Sequence, residues 1–371
     1  MAFTAPDASG QVVGTSSGKS SIAGIVSRSI VNFTRVTFSA GIGADGAPGV
    51  NGATPAYPTA NENYAVTTPV APAGASNIGA SNECAYEDTA TSTFDQSWGG
   101  MGGLPSLSVA GGNGGSSPPI PPAASAIGHD GLGQDASGLV GPDPGADGLP
   151  RSSPPAPMSY GSVAAGPPWW LPMSGSDGPP GTPGQGGGGA MAVSTPDLHI
   201  DGAGGGAGGC GGAGGKGGGG GGGSIGLILV NSPVHLSSCT FETSSGGRGG
   251  DGGFGQDGQA GGAGYQKSAD VDLNSSAAGG NGAGGTGGGG GAAGISAAVV
   301  YAGDDNAPGF ADSSSVFAGA GAGGRRSRGP GAGGLGGLGG GGGPGNEGYT
   351  GVAGYDGPAG GVFSVLGPPW N

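Results

Sequence analysis

The sequence has little charge, few aromatic side chains and few cysteines, and each shortage excludes a class of protein. Charged residues make up 9% and aromatic residues 6% of the 371 residues. An ordinary globular enzyme of this length needs more large side chains to fill its core. Three widely spaced cysteines, Cys84, Cys210 and Cys239, allow at most one disulfide and exclude both a disulfide framework and a CxxC-type zinc site.

Positive charge and long apolar runs are also scarce. Ten Lys and Arg stand against 24 Asp and Glu, giving a formal net charge of −14. This balance repels polyanions, so we expect no nucleic acid partner. The longest uninterrupted aliphatic stretch is Leu227–Val230, which is too short for a membrane span.

The N-terminal residues show no export signal. Residues 1–7 contain neither the basic region nor the apolar core of a secretory signal peptide. Because this composition is typical of proteins outside the cell, we expect an extracellular or cell-surface location. The chain would then be a fragment of a longer protein, a substrate of a non-classical export route, or a component of a larger particle.

Glycine is the residue in excess, and it recurs every third position. The chain has 101 Gly and 31 Pro. A three-residue period matches neither an α-helix nor a strand, but it matches the left-handed helix of the polyproline-II type. One edge of each such helix would consist of glycine alone. The runs in phase are 43–52, 175–187, 202–223, 246–264, 279–294 and 333–360.

The glycine runs differ from collagen and from flexible linkers. Runs 202–223, 246–264 and 279–294 contain no proline, and only residues 175–184 look collagenous. Because this helix has no internal hydrogen bonds, its amides need acceptors on neighbouring helices. We therefore predict a bundle of polyglycine-II helices that approach through their glycine edges. In this phase Gly255 faces a neighbouring helix and Gln256 points away from it.

Short apolar segments separate the glycine runs, and they repeat. Residues 21–38 align without a gap with residues 224–241, at an offset of 203. A third copy, 295–317, carries an insertion around residues 303–309. Alternating apolar residues predict short strands separated by polar corners. Two or three strands in about 20 residues form one coil of a parallel β-solenoid, which is stable only when coils stack.

The predicted fold is all-β with irregular repeats and essentially no α-helix. It is a short, parallel β-solenoid-like strand layer with an attached bundle of polyglycine-II helices. Residues 1–52 hold the first strand repeat and a short triplet run, and residues 53–174 form a Pro-, Ala- and Ser-rich region dominated by loops. Residues 175–371 hold the triplet bundle with strand repeats 224–243, 295–317 and 361–366. Further candidate strands are 107–109, 191–193 and 198–200.

GGxGGxGG tracts, as in 202–223, alternate with apolar strands, as in 224–230. In this respect the chain resembles glycine-rich repeat surface proteins of bacteria of the PGRS type. More remotely, the triplet runs are similar to the polyglycine-II domains of phage tail-tip adhesins and springtail antifreeze proteins. The resemblance covers about residues 175–366 and implies a surface protein with polyglycine-II tracts. The chain departs from the mycobacterial members because it has no recognisable helical PE segment at the N-terminus.

Two motifs suggest small-ligand chemistry. Residues 13–20 nearly satisfy the phosphate-binding P-loop pattern, but Val13 replaces its first glycine and a strand-like segment follows. Asp197, His199 and Asp201 share one face of a predicted strand and could offer a metal three ligands. The alternative, which we favour, is the polar outer face of an edge strand. No cofactor is predicted.

The binding candidates are aromatic and basic. Trp169 and Trp170 could be sugar-stacking platforms or docking anchors, and the alternative is a pair of lids packed over the ends of the bundle. Tyr265 begins a variable loop. Arg325 and Arg326, between glycine runs, form either a solvated loop or an anion or carbohydrate contact.

We expect a non-enzymatic structural protein, a scaffold of a matrix, surface layer or filament, whose partners are its own copies or other surface components. No catalytic residue is predicted. The alternative is an adhesin that displays loops at the ends of the bundle toward a glycan or cell-surface receptor. An ice-binding protein would need a flat array of small residues, which Lys216, Arg248 and Phe254 interrupt.

Overall fold

The described residues form strands and extended segments, and they contain no helix. The computed structural model describes residues 1–12, 14–52, 81–88, 93–98, 142–152, 160–164, 166–195, 198–200, 202–265, 275–302, 308–310, 316–318 and 359–365. Their strands are β1 (Ala2–Ala5), β2 (Ser21–Ser27), β3 (Val31–Thr34), β4 (Thr37–Ala40), β5 (Ser81–Asp88), β6 (Thr93–Trp98), β7 (Gly161–Val163), β8 (Trp170–Pro172), β9 (Val193–Thr195), β10 (Leu198–Ile200), β11 (Ser224–Val230), β12 (Val234–Ser237), β13 (Thr240–Thr243), β14 (Ser296–Ala302), β15 (Gly309–Phe310), β16 (Val316–Ala318) and β17 (Ala359–Val365).

Three parallel sheets stack the apolar copies on one another. Ser224 of β11 pairs with Ser21 of β2, and Thr240 of β13 pairs with Thr37 of β4. β12 pairs with β3 at the same spacing, so the alignment at an offset of 203 is the register of all three sheets. The strand orders are β17-β14-β11-β2, β15-β12-β3 and β1-β4-β13-β16.

The third copy is longer than the first two at both of its corners. Ser296 pairs with Ser224, Gly309 with His235 and Val316 with Thr240, so the offset grows from 72 to 74 and then to 76. The sequence predicted one insertion around residues 303–309. The pairing shows a second one between β15 and β16.

The corners between strands use left-handed backbone conformations at repeating positions. Arg28 and Asn231 have φ angles of 51° and 47°, and Arg35 and Ser238 have φ angles of 52° and 53°. The members of each pair are equivalent in the aligned copies. A single residue in this conformation redirects the chain from one sheet to the next, and it does so without glycine.

Two apolar clusters lie on opposite sides of β11. Leu227 and Leu229 pack in the first cluster, with Phe38 and Phe241, whereas Ile228 packs in the second. Every residue of β11 is buried. Burial on both faces explains why its sequence is a continuous apolar run and does not alternate.

Six extended segments outside the strands are bonded to one another sideways, and we call them the triplet array. Segment 202–223 donates from every third N–H, Gly206 to Gly221, to carbonyls of segment 275–295 at 2.8 to 2.9 Å. Segment 244–265 donates six such bonds to segment 202–223 and accepts seven from segment 275–295. The members of the array are 41–52, 142–152, 173–192, 202–223, 244–265 and 275–295.

Glycine is required where these segments meet. A Cβ atom on Gly258 would overlap the carbonyl oxygen of Gly282, and one on Gly282 would overlap the carbonyl oxygen of Cys210. Segment 275–295 is buried along most of its length. Segment 244–265 exposes the side chains of one edge, at Arg248, Phe254, Asp257, Ala260 and Ala263.

The array also contains residues from the region that the sequence assigned to loops. Segment 142–152 is hydrogen-bonded to segments 173–192 and 275–295. The β7–β8 hairpin packs Val163 and Trp170 against the second apolar cluster.

Cys210, inside the array, is disulfide-bonded, and Cys239 is a free, buried thiol.

Candidate functional site

Several backbone amides of the P-loop-like segment are bonded within the molecule. The N–H of Gly18 donates to the carbonyl of Gly220 at 2.8 Å, and the N–H of Lys19 donates to Gly10 at 3.0 Å. The N–H of Ser17 donates to Thr15 Oγ1 at 3.2 Å. Strand β2 follows, where a phosphate site needs a helix N-terminus. The amide of Gly18 thus joins the segment to the triplet array, and those of Ser17 and Lys19 bond within residues 10–19.

The predicted metal ligands fall mainly outside the described residues. Asp197 and Asp201 lie outside them, and His199 lies in β10, where it pairs with Ser194 of β9. The strand predicted at 198–200 is therefore present. Across the part of the chain that the structure describes, no three His, Cys, Asp or Glu side chains come together in a group that could hold a metal ion.

The two tryptophans lie against the strand layer. Trp170 is 2% exposed and packs with Val163, Ile228 and Val300. Trp169, partly buried, packs against the same cluster. A ring as buried as that of Trp170 has no face available for stacking on a sugar. Its indole Nε1 has no hydrogen-bond partner among the described residues.

Tyr265 closes the end of the triplet array. Its side chain is buried, and its N–H donates to Ser276 Oγ at 2.9 Å, while the N–H of Ser276 donates to the Tyr265 carbonyl at 3.1 Å. Ser276 Oγ in turn donates to the Gly204 carbonyl at 2.7 Å. These bonds join three chain segments at one point. Arg325 and Arg326 lie outside the described residues.

Side-chain oxygens at the edge of the array, which sequence reasoning missed, accept backbone N–H groups of segment 202–223. Segment 41–52 accepts the N–H groups of Lys216, Gly219 and Gly222 through its carbonyls. Beyond Gly52, Gln256 Oε1 accepts the N–H of Ala213 at 3.2 Å, and Gln259 Oε1 similarly accepts from Cys210. Gln256 was expected to point away from the contact of Gly255 as a surface side chain, but it is partly buried and bonds to segment 202–223.

Gln256→Leu is expected to lower the free energy of unfolding by about 1 to 3 kcal/mol, because the partly buried N–H of Ala213 loses its acceptor. Gln256→Glu keeps an acceptor and is expected to recover most of that loss at neutral pH. Urea unfolding monitored by circular dichroism would measure both. Equal stability of the leucine variant and the wild type would show that this hydrogen bond contributes nothing.

Three aspartates at the edge of the array share a sequence pattern and a role. Each lies in a Gly-Xaa-Asp-Gly-Xaa-Pro motif, at residues 43–48, 145–150 and 175–180. Asp45 Oδ1 accepts the N–H of Arg248 at 2.7 Å, and Asp147 Oδ1 accepts that of Asn281 at 2.7 Å. Asp177 Oδ1 accepts the N–H of Gly217 at 2.9 Å. In each case a carboxylate supplies an acceptor for a backbone amide of a neighbouring segment.

Asp177 also pairs with a cation at the surface. Lys216 Nζ lies 2.8 Å from its Oδ2. Partial burial acts to raise the pKa of Asp177, but the hydrogen bonds from Lys216 and Gly217 and the charge of Lys216 outweigh it and lower the pKa. The contribution to stability is therefore present above the ordinary pKa of aspartate and lost as the pH falls through the lowered pKa. It is small, because both side chains are more than half exposed.

Comparison with known proteins gives no relative. The chain matches no protein-family model, no curated protein and no solved structure. None of the described residues belongs to a helix with the length and apolarity needed to cross a membrane. The geometry itself therefore carries the functional argument, and what it offers is backbone hydrogen bonding at a fixed three-residue spacing.

Proposed function

We propose that this chain is a non-enzymatic structural protein of the cell surface or the extracellular matrix. It is built as a short parallel β-solenoid with an attached bundle of polyglycine-II helices. The observation that carries the proposal is the lateral bonding of amides at every third residue, from Gly206 to Gly221 and from Gly279 to Gly294. In such a pattern backbone hydrogen bonds hold the segments together, as is typical of fibrous and scaffold proteins.

The triplet array would act as a rigid spacer. At a rise of about 3.1 Å per residue, segment 202–223 extends for about 65 Å. Neighbouring segments bond to it on several sides, so the spacer resists bending more than a single polyproline-II helix would. Side chains are placed at regular steps along its exposed edges. We infer that copies of the chain, or other components of a surface layer or matrix, are its partners.

One feature favours an adhesin as the second candidate. Two chain reversals lie side by side at the end of the array farthest from the three stacked sheets, because Ser276 bonds to both Tyr265 and Gly204. The β9–β10 hairpin reverses the chain between segments 173–192 and 202–223. An adhesin displays its binding loops at such an end.

Electron microscopy of the purified protein distinguishes the two candidates. The scaffold proposal expects filaments, sheets or other ordered assemblies that form at high protein concentration. Dispersed single particles that bind cells or immobilised glycans would support the adhesin instead. Turnover of a polysaccharide that disappears when one acidic residue is replaced would overturn both.

A further inference from the structure

Segment 142–152 lies in a groove between segments 173–192 and 275–295, which we call the edge groove. The N–H groups of Gly145 and Gly148 donate to the carbonyls of Ala278 and Asn281, at 2.9 and 2.7 Å. In return, its carbonyls accept the N–H of Gln185 at 2.9 Å and of two further residues of segment 173–192. The segment is thus held by backbone bonds from both walls of the groove.

Side chains fix the position of segment 142–152 along the groove. Asp147 Oδ1 accepts the N–H of Asn281 at 2.7 Å. Thr182 Oγ1 accepts the N–H of Leu149 at 2.6 Å and donates to its carbonyl at 3.1 Å. Thr286 Oγ1 donates to the Arg151 carbonyl at 2.7 Å. Because backbone bonds repeat every three residues, these side-chain bonds distinguish the observed register from its neighbours.

Segment 41–52 makes equivalent backbone and aspartate bonds in a different groove, between segments 202–223 and 244–265. Gly43 and Gly46 donate to one wall, as Gly145 and Gly148 do, and Asp45 accepts an N–H from that same wall, as Asp147 does. The carbonyl of Ala44 accepts from the other wall, as that of Ala146 does. One sequence motif therefore makes one bonding pattern in two separate grooves.

We propose that the edge groove is a docking site for Gly-Xaa-Asp-Gly-Xaa-Pro segments. Residues 142–152 of the same chain fill it here, and the same segment of a second copy fills it between neighbouring molecules. The motif supplies the two glycine N–H donors, the aspartate acceptor and the Ala146 and Leu149 carbonyls that bond to the walls of the groove. Its two glycines let the backbones approach, because a Cβ on Gly148 would overlap the carbonyl oxygen of Thr182. Its aspartate supplies the acceptor for Asn281.

Exchange between molecules follows from how the segment is connected. Segment 142–152 does not directly adjoin a strand of the three stacked sheets: residues 53–141 separate it from segment 41–52, and residues 153–159 separate it from the hairpin that begins after Tyr160. A tethered segment competes with a free one at an effective concentration on the order of millimolar. Molecules crowded in a matrix reach comparable local concentrations. This inference rests on the proposed structural role, because only a dense assembly would favour exchange.

The test is binding of a labelled synthetic peptide of residues 142–152 to the full-length Gly148→Leu protein. In this variant the chain's own segment cannot enter the groove, so the peptide is expected to bind it. Wild-type protein at low concentration is expected to bind at least tenfold more weakly, because its groove is filled. A peptide carrying Gly148→Leu is expected to bind the variant at least tenfold more weakly than the unmodified peptide. Fluorescence anisotropy measures all three.

A second host, the full-length G145A/G148A protein, covers the case in which Gly148→Leu prevents folding. Absence of peptide binding to a folded host, or equal binding of the control peptide, would overturn the docking site. The proposed structural role is tested separately by microscopy of the wild-type protein. Ordered assemblies without peptide binding would reject only the exchange, and peptide binding without assemblies would reject only the structural role.

Discussion

Replacing Gly258 by leucine is expected to lower the free energy of unfolding by about 3 kcal/mol or more. A side chain at this position would overlap the carbonyl oxygen of Gly282, so segments 244–265 and 275–295 would have to separate. Separation would also break the neighbouring bonds, such as that from the N–H of Gly282 to the Gln259 carbonyl at 2.8 Å. Thermal and urea unfolding would report the loss.

The matched control lies two residues further along the same segment. Ala260 is exposed, so Ala260→Leu introduces the same side chain at a position that faces solvent. We expect its effect to stay within about 0.5 kcal/mol. Equal and negligible effects of both substitutions would show that the glycine run is a flexible linker. Gly255 falls in the phase of Gly252 and Gly258, and Gly255→Leu is expected to behave like Gly258→Leu.

Phe241→Ala is expected to cost about 3 to 5 kcal/mol, the usual loss when a fully buried phenylalanine is truncated. Phe241 is 0% exposed, and its ring stacks on that of Phe38 with centroids 5.1 Å apart and an interplanar angle of 10°. Phe3 continues the stack beneath Phe38, at 5.4 Å. The rings thus join β1, β4 and β13, and removing the ring of Phe241 would leave a cavity between successive copies.

Glu242→Ala is the control for the strand layer. Glu242 is the next residue of β13 and is exposed, so its truncation is expected to change stability by no more than about 0.5 kcal/mol. Equilibrium unfolding in urea would measure the free energy of unfolding of both variants. The two values can be compared if the m-values are unchanged. If Phe241→Ala were as stable as Glu242→Ala, the stacked copies would not be the cooperative core of the fold.

Periodicity accounts for what could be predicted from the sequence. The period of three located the glycine edges, because only glycine allows backbones to approach so closely. The gap-free alignment of 21–38 with 224–241 gave the register of the sheets, because stacked copies with equal spacing must pair equivalent residues. The absence of α-helix among the described residues agrees with both patterns.

Local patterns failed where a segment is held by neighbours distant in sequence. Segment 142–152 has too few triplets to be recognised alone, and its partners lie in segments 173–192 and 275–295. The role of Gln256 was missed for a related reason. Its periodic position resembles a surface position, but its Oε1 accepts the N–H of Ala213 on a neighbouring segment. The recurrence of Gly-Xaa-Asp-Gly-Xaa-Pro was a signal that could have revealed the edge segments.

The lateral bonding of the triplet array has a consequence for how the protein can change over evolution. Because every third residue occupies an equivalent position, inserting three residues into each of two adjoining segments would lengthen both by about 9 Å and preserve every phase. Inserting one or two residues would shift the phase of all following residues in that segment and bring their side chains to the glycine edge. We therefore expect segment length to vary in steps of three residues, one turn of the helix, and other insertions to be disfavoured.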